Sequence, residues 1–418
     1  MTRLIATCVA ACVLASLRPS RVLAQVELGG FVQANYAART TGSHSSSAAD
    51  FPLGEERLQL KLEGYSEDGS AAFLGKVDLL HDAVSNETGV DLREAYLDLV
   101  SDNITFRAGR QILTWGVGDL LFLNDIFPKD WVAFFTGRPL QYLKVGTDAL
   151  RVDFYPGPLT AEIVVAPFFQ PDRYPSGERL VLTTALPPGI VRREEKKTQS
   201  FENVEISAKT SLYIADWEAA AYGSRTFHRS PATGLDDPDA PTQAHLFFPR
   251  LNVYGGSISG GFLGGVLSLE GAYYDSKEDR EGTHPAIENS QVKGLIGYSY
   301  PVWEDATVGL QGFLEWRLDH GVSRASLPPG NPERDQHRWT ATTRFTQRLL
   351  HHTLSLNFFA FWGATEQDAY LIPSVRYSFT DELWAEIGAN VFLANEPHTM
   401  FGVLDENDNA YLTMRHGF

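Results

Sequence analysis

Segments of about ten residues with an apolar residue at every second position recur from Val26 to the end of this 418-residue chain. Such alternation gives a strand one apolar and one polar face. After Ala24 no apolar run approaches the length of a membrane-spanning helix, so a helical membrane protein is excluded. The sequence predicts an all-β chain, with strands near residues 26–37, 56–66, 71–80, 92–100, 103–113, 145–154, 159–168, 201–212, 216–227, 249–261, 264–275, 289–300, 306–317, 336–348, 352–362, 368–379, 382–394 and 408–418.

These segments number about 18, with 16 as an alternative count, and the connections between them alternate in length. Short connections are predicted at 67–70, 101–103, 155–158, 214–216, 303–305, 349–352 and 380–382. Long connections, rich in Gly, Pro, Asp and Ser, are predicted at 38–55, 114–144, 169–200, 228–248, 318–335 and 395–407. Transmembrane barrels have short periplasmic turns and longer external loops. The alternation therefore predicts a transmembrane antiparallel β-barrel with both termini in the periplasm.

The first residues have the features of a secretory signal peptide. A basic start at Arg3, an apolar run from Leu4 to Leu17 and small residues before Ala24 predict a leader over residues 1–24 and one barrel domain over residues 25–418. Both cysteines of the chain lie in that leader. The predicted mature chain is thus without disulfide or thiolate chemistry.

Charge and motifs narrow the function classes. Without the leader the chain has 32 basic and 52 acidic residues, which argues against nucleic acid as a partner. The sequence contains no Gly-rich phosphate loop and no HExxH, GxSxG or CxxC motif, so we predict no enzyme, no cofactor and no metal site. A hydrolase with scattered Ser, His and Asp is the disfavoured alternative, because Ser and His of inward parity do not cluster.

One long connection, residues 109–146, is too apolar for a solvated loop, and we expect it to fold into the barrel mouth. Gly116 and Gly118 permit a sharp inward turn. Pro128 can open a short helix whose apolar face would rest on the inner wall. The residues left to line a pore constriction are Asp119, Asp125, Lys129, Asp130 and Arg138. An equally weighted alternative is that these aspartates cap turns and that the segment is only a structural plug.

The last predicted strand, NAYLTMRHGF, ends on Phe418. With the inserted third external loop, this ending resembles the bacterial outer-membrane porins, whose closing strand ends in phenylalanine and is read by the barrel assembly machinery. A count of about 18 strands resembles that of the substrate-specific and alginate-export class of porins. The resemblance implies an outer-membrane barrel in contact with lipid that passes a small polar solute without cofactor. It also implies a third loop that places acidic residues opposite a basic wall.

With the apolar face of each strand toward lipid, the other face lines the lumen. A charge facing lipid costs about 2–4 kcal/mol at the midplane, so many inward charges mean a hydrated interior. Ladders of Arg and Lys favour anions. We therefore expect passive diffusion of small hydrophilic solutes with a mild preference for anions. The predicted pore-wall cations are Arg57, Lys61, Lys293, Arg317, Arg338, Arg344, Arg348, Arg376 and Arg415.

Two other functions stay open at the level of sequence. One is a barrel that exports a polymer or a lipid-linked product with a periplasmic partner. The other is a structural barrel without a conducting pore.

Overall fold

The computed structural model describes residues 23–41, 50–175, 177, 179–182, 190–195, 197, 201–237, 241–328 and 331–418. The predicted leader, residues 1–24, lies outside this part of the chain except for its last two residues. The strands are β1 (Leu23–Arg39), β2 (Leu53–Ser66), β3 (Ala71–Asp82), β4 (Glu87–Ser101), β5 (Ile104–Gln111), β6 (Thr147–Phe154), β7 (Leu159–Ala166), β8 (Val191–Glu194), β9 (Glu205–Ile214), β10 (Trp217–Phe227), β11 (Ala232–Leu235), β12 (Gln243–Phe247), β13 (Arg250–Phe262), β14 (Gly265–Ser276), β15 (Gln291–Trp303), β16 (Ala306–Arg317), β17 (His337–Leu349), β18 (Leu354–Gly363), β19 (Asp368–Ser378), β20 (Leu383–Ala394) and β21 (Asn409–Gly417). The described residues include two short helices, α1 (Trp131–Phe135) and α2 (His320–Ser326), with 3-10 turns at Leu140–Tyr142, Phe201–Asn203 and Gly402–Asn407.

Eighteen of these strands form one antiparallel sheet that closes on itself. Each strand pairs with the next along the chain, and β1 pairs with both β2 and β21, which joins the two edges. The predicted all-β barrel of about 18 strands is confirmed. The remaining strands, β8, β11 and β12, form a separate small sheet with a parallel pair between β12 and β8. The alternation pattern did not predict this sheet.

The outward face of the barrel is apolar. Exposed side chains include Leu28 at 69%, Ile296 at 56% and Ile387 at 64%. They alternate along their strands with residues such as Gln33 and Asn390, which are 1% exposed. Such an apolar belt around a closed sheet is the outer surface of a transmembrane barrel. The chain is thus an outer-membrane type of β-barrel.

No helix within the described ranges is long and apolar enough to cross a membrane.

The two ends of the barrel differ in the length of their connections. At one end, here called the short-turn end, consecutive strands are joined by tight turns, as between β4 and β5. At the other, here called the long-loop end, lie most of the longer connections. Residues 83–86 and 364–367 are exceptions, since both are short connections at the long-loop end. The alternation predicted from the sequence is otherwise present.

The last residue closes the seam between the first and last strands. The backbone N–H of Phe418 donates to the carbonyl of Gly30 at 3.0 Å, and the N–H of Gly30 donates back to the carbonyl of Phe418 at 3.0 Å. The Phe418 side chain is 57% exposed. The backbone of Phe418 therefore makes the final hydrogen-bonded pair of the barrel, and its ring stays on the surface.

We expect deletion of Phe418 to lower the yield of folded barrel in the outer membrane. The deletion removes both hydrogen bonds at the seam and the aromatic end that the porin resemblance assigns to the assembly machinery. The measurement is the fraction of protein that migrates as a compact form before heating in a denaturing gel. Phe418→Tyr, which keeps the ring and both backbone bonds, should assemble normally. Equal yields for the deletion and the wild type would contradict the prediction.

Candidate functional site

The connection between β5 and β6, residues 112–146 and here called the insert, contacts strands all around the barrel. The Trp115 indole N–H donates to a Glu162 carboxylate oxygen on β7 at 2.9 Å. Asn35 on β1 donates to the carbonyl of Gly137 at 3.1 Å. Arg93 on β4 donates to two carbonyls of the insert, at 3.0 and 2.9 Å. These residues belong to the strand faces that alternate with the apolar outward face.

A buried carboxylate on β14, Glu270, fastens the first half of the insert. One oxygen accepts from the backbone N–H groups of Val117 and Gly118 at 2.8 and 3.0 Å. The other accepts from the backbone and side-chain nitrogens of Asn124 at 2.9 and 2.8 Å. Glu270 is 5% exposed and has no cationic partner within 4.0 Å among the described residues. Four N–H donors therefore supply the hydrogen bonds that stabilise this carboxylate in its buried position.

The predicted turn at Gly116 is part of this anchor. Gly116 has a φ of +80°, a backbone conformation that glycine adopts without steric cost. A side chain at Gly116 would also lie 2.6 Å from a Glu270 oxygen. A glycine is thus required where the insert turns toward the carboxylate.

Asp119 reaches the opposite part of the wall. Its carboxylate pairs with the Arg344 guanidinium on β17, with one N–O distance of 2.7 Å. Its backbone N–H and carbonyl pair with the side-chain amide of Gln311 on β16 at 2.8 and 2.9 Å. Asp119 and Arg344 keep 43% and 35% of their side chains exposed. This is the most accessible ion pair between the insert and the wall, and it joins two predicted site residues.

The second half of the insert packs through aromatic side chains. Phe134 on α1 lies 5.4 Å from Tyr370 and 6.0 Å from Phe361, measured between ring centroids. Phe135 lies 6.0 Å from Phe392, and the Tyr370 hydroxyl donates to the carbonyl of Phe134 at 3.0 Å. The expected contact between the apolar face of this helix and the barrel wall is present.

Three predicted constriction residues are buried instead of lining open space. Asp125, Lys129 and Asp130 are 5%, 3% and 4% exposed. Asp125 pairs with Lys129 at 2.9 Å and with Lys144 at 2.6 Å. Asp130 caps α1, since its carboxylate accepts from the Ala133 N–H at 2.8 Å. The prediction of solvent-facing side chains is wrong for these three, because each charge has a local partner inside the insert.

The helix also begins later than its proline suggests. Pro128 precedes α1 by three residues, and Asp130 occupies the N-cap. The alternative in which these aspartates cap turns therefore describes Asp130.

Arg138 joins a buried charge cluster on β2 and β3. It pairs with Glu55 at 2.8 Å, and Glu55 also pairs with Arg57 at 2.6 Å. Arg57 bonds Asp78 as well, and its guanidinium lies 4.2 Å from the ring centroid of Tyr142 in the insert. Arg57 is 4% exposed, and both carboxylates are fully buried. Arg57 thus binds the insert to the wall and is not accessible to a solute.

Several predicted wall cations are neutralised by nearby carboxylates. Lys293 pairs with Glu315 at 3.0 Å. Arg338 pairs with Glu315 at 2.6 Å and with Glu366 at 2.9 Å. Lys61 pairs with Glu63 and stays 36% exposed. The predicted basic ladder is therefore much less positive than its cations alone suggest.

A group of arginines at the short-turn end has fewer carboxylate partners than the cations described above. Arg348, Arg376 and Arg415 project from the inward faces of β17, β19 and β21. Arg376 and Arg415 lie 4.0 and 5.1 Å from the Trp384 ring, and Arg376 pairs with Glu386 at 2.9 Å. Arg415 donates to neutral Gln33 at 2.9 Å, and no carboxylate within the described ranges lies within 4.0 Å of Arg415 or the exposed Arg348. These three residues are called the arginine cluster below.

Arg317, the remaining predicted wall cation, lies at the long-loop end of β16. It donates to the carbonyl of Asp335, and its Nε has no hydrogen-bond partner among the residues that the structure describes. It lines a cavity of about 230 Å³ between the connections that precede β15 and follow β16. Arg317 is therefore separated along the strands from the arginine cluster.

Sequence reasoning missed Glu270, although a signal for it existed. Leu267 and Leu269 face outward, so strand parity places Glu270 inward, as a lone carboxylate with no cation nearby in sequence. Its partners are backbone N–H groups of the insert, about 150 positions away, and composition does not reveal them. Gly255 was missed as well. A side chain there would collide with Asn124, so this glycine makes room for the insert.

No protein-family model matches this sequence, and no curated protein is similar to it in sequence. Solved structures of outer-membrane porins are similar in fold. OccD3 (OpdP) of Pseudomonas aeruginosa has a TM-score of 0.57 at 11% identity, covering 96% of this chain and 92% of that one. OccK3 (OpdO) of the same organism has 0.56 at 10% identity, with 95% and 97% covered. OccAB4 of Acinetobacter baumannii has 0.56 at 10% identity, with 96% and 100% covered. At these identities the likeness concerns the fold alone, and this chain has the fold of an outer-membrane porin.

Proposed function

We propose that this protein is a passive outer-membrane channel for small hydrophilic solutes, with the insert lying in the lumen as its constriction. The observation that carries the proposal is the set of insert contacts. Residues 115–141 bond to inward-facing side chains on strands from β1 to β21. Within a closed barrel, only a segment inside can reach so many strands. Tight anchoring of the insert favours a fixed narrow passage over a wide pore.

The charge beside the passage supports a mild preference for anions, including carboxylate-bearing solutes. Most wall cations have carboxylate partners, so the electric fields of cation and carboxylate largely cancel beyond a few ångströms from each pair. The arginine cluster has only Glu386 as a counter-charge within 4.0 Å among described residues. Acidic residues on the external loops are screened over about 8 Å at physiological salt, so the local cluster outweighs the negative charge of the whole chain.

Replacing Arg348 and Arg415 together with serine should therefore lower the anion preference. Neither arginine has a carboxylate within 4.0 Å among the described residues, so their loss removes positive charge without leaving a carboxylate unpaired. Arg415 also donates to the Gln141 side chain of the insert at 3.3 Å, and this neutral contact is lost with it. The measurement is the reversal potential across a planar bilayer in a salt gradient. Arg344→Ser is a less clean test, because it also frees Asp119.

The matched control is Arg110→Ser. Arg110 pairs with Asp148 at 2.7 Å on the outward side of β5 and β6, away from the lumen. The control should keep the wild-type reversal potential. An unchanged potential in the double variant would contradict the assigned role of the arginine cluster and leave the channel proposal standing.

A further inference from the structure

A cationic pocket lies on the outward surface of the barrel at the long-loop end of β10, β13 and β14. Arg225 faces Asn252 across one strand pair, and Asn252 faces Asp275 across the next. All three share the outward face with exposed Tyr254. Arg225, Arg250 and Lys277 line a cavity of about 160 Å³, with Val204, Thr226, Phe227 and Asn252 as its other walls. The cavity therefore lies on the lipid side of the wall and not in the lumen.

The basic side chains of this pocket are incompletely neutralised. Arg225 and Arg250 both donate to one backbone carbonyl, that of Glu202, at 3.0 and 3.2 Å. No carboxylate among the described residues lies within 4.0 Å of the Arg225 or Lys277 side-chain nitrogens, and both residues are exposed. Arg250 meets the carboxylates of Glu278 and Glu202 only at 3.9 and 4.0 Å.

The carboxylate of Asp275, on the same outward face, already has other partners. Asp275 accepts two hydrogen bonds from Arg280, both at 2.7 Å, and one from Asn252 at 3.1 Å. Arg225, Arg250 and Lys277 thus line one cavity, and the acceptor that the two arginines share there is the neutral backbone carbonyl of Glu202.

A tyrosine pair fixes the depth of the pocket in the membrane. Tyr254 and Tyr273 are directly opposite each other on β13 and β14, and they are 53% and 39% exposed on the outward face. Outward tyrosines mark the boundary between hydrocarbon and headgroups in membrane proteins. Arg250 lies four residues from Tyr254 toward the long-loop end, roughly 13 Å along the strand. The cations therefore stand at the level of the lipid headgroups.

We propose that Arg225, Arg250 and Lys277 form a binding site for the phosphate of a lipid headgroup. A guanidinium offers paired N–H donors that match phosphate oxygens, and a lysine adds a point charge. Clusters of Arg and Lys at the membrane surface attract anionic lipids in this way. The lipid is favoured over a free phosphate ion because the pocket opens above lipid-facing tyrosines, where an acyl chain continues along the wall.

The test is native mass spectrometry of the full barrel in a neutral detergent, with phosphatidic acid or phosphatidylcholine added. The wild type should bind phosphatidic acid more tightly. The variant Arg225→Gln/Arg250→Gln/Lys277→Gln should bind it about a hundred-fold more weakly, since each of the three basic residues near a surface contributes about 1 kcal/mol and about 1.4 kcal/mol is a factor of ten. Arg110→Gln, an outward cation elsewhere on the rim, should bind as the wild type does. Arg225→Gln alone, at an exposed position, is the second variant should the triple variant fail to fold, and a measurable loss is expected there too.

Either of two results would overturn the proposal. One is equal binding of phosphatidic acid by the wild type and the charge-removed variants. The other is displacement of phosphatidic acid by an equal concentration of glycerol 3-phosphate, which would make the pocket a site for a soluble phosphate. The readout does not involve conduction, so it is independent of the proposed channel function.

Discussion

Glu270→Ala is expected to release the first half of the insert and to raise the single-channel conductance. The substitution removes an acceptor that receives four N–H bonds from Val117, Gly118 and Asn124. Hydrogen bonds to a charged group contribute roughly 1.5–3 kcal/mol each, so even partial replacement by water costs several kcal/mol. The aromatic half of the insert has separate contacts and should stay in place. The measurement is the size of the current steps in a planar bilayer.

Two further variants make this result specific. Glu270→Gln keeps one oxygen acceptor but loses the charge, so its conductance should fall between those of Glu270→Ala and the wild type. Glu63→Ala removes a carboxylate from β2 that pairs with Lys61 and has no contact with the insert. This control should conduct as the wild type does. Wild-type steps from a folded Glu270→Ala barrel would show that Glu270 does not hold the constriction.

Arg57→Ala is expected to cause the largest loss of stability, about 3–5 kcal/mol, because it leaves Glu55 and Asp78 buried without their shared cation. Glu55 retains Arg138, but within the described part of the chain Asp78 keeps only a hydrogen bond from Gln59 at 2.8 Å. The measurement is the midpoint of urea unfolding in detergent micelles. The lowered stability should appear as a lower midpoint with an unchanged slope.

The control for this prediction lies on the same strand and the same face. Lys61→Ala breaks an ion pair whose members are 36% and 27% exposed, and such a pair contributes less than about 1 kcal/mol. The double variant Arg57→Met/Asp78→Asn should recover a large part of the lost stability, because it also removes the buried Asp78 charge that has lost its cation. Similar midpoints for Arg57→Ala and Lys61→Ala would contradict the role of burial.

Strand positions could be read from the sequence because a lipid-facing strand must place an apolar residue at every second position. The exception at β4 shows the limit of this rule. The predicted strand covers 92–100, whereas β4 begins at Glu87. A bulge at Arg93 puts two consecutive residues, Arg93 and Glu94, opposite one position of β3, so the alternation breaks at that point. The pattern identified only the part of the strand after the break.

Strand parity predicts that charged residues such as Arg344 and Arg338 face inward, but it does not give their partners. Parity does not say that Arg338 meets Glu315 and Glu366, or that Arg344 meets Asp119, because these partners are set by register and by the path of the insert. The sequence pattern did not predict the burial of Asp125 either, because that burial depends on how the insert folds on itself.

Current through planar bilayers containing the purified wild-type barrel tests the channel proposal most directly. The account predicts stepwise increments of current that are proportional to voltage, with a reversal potential on the anion side in a salt gradient. A correctly folded barrel that inserts into the bilayer and gives no current steps above the bare membrane would contradict it.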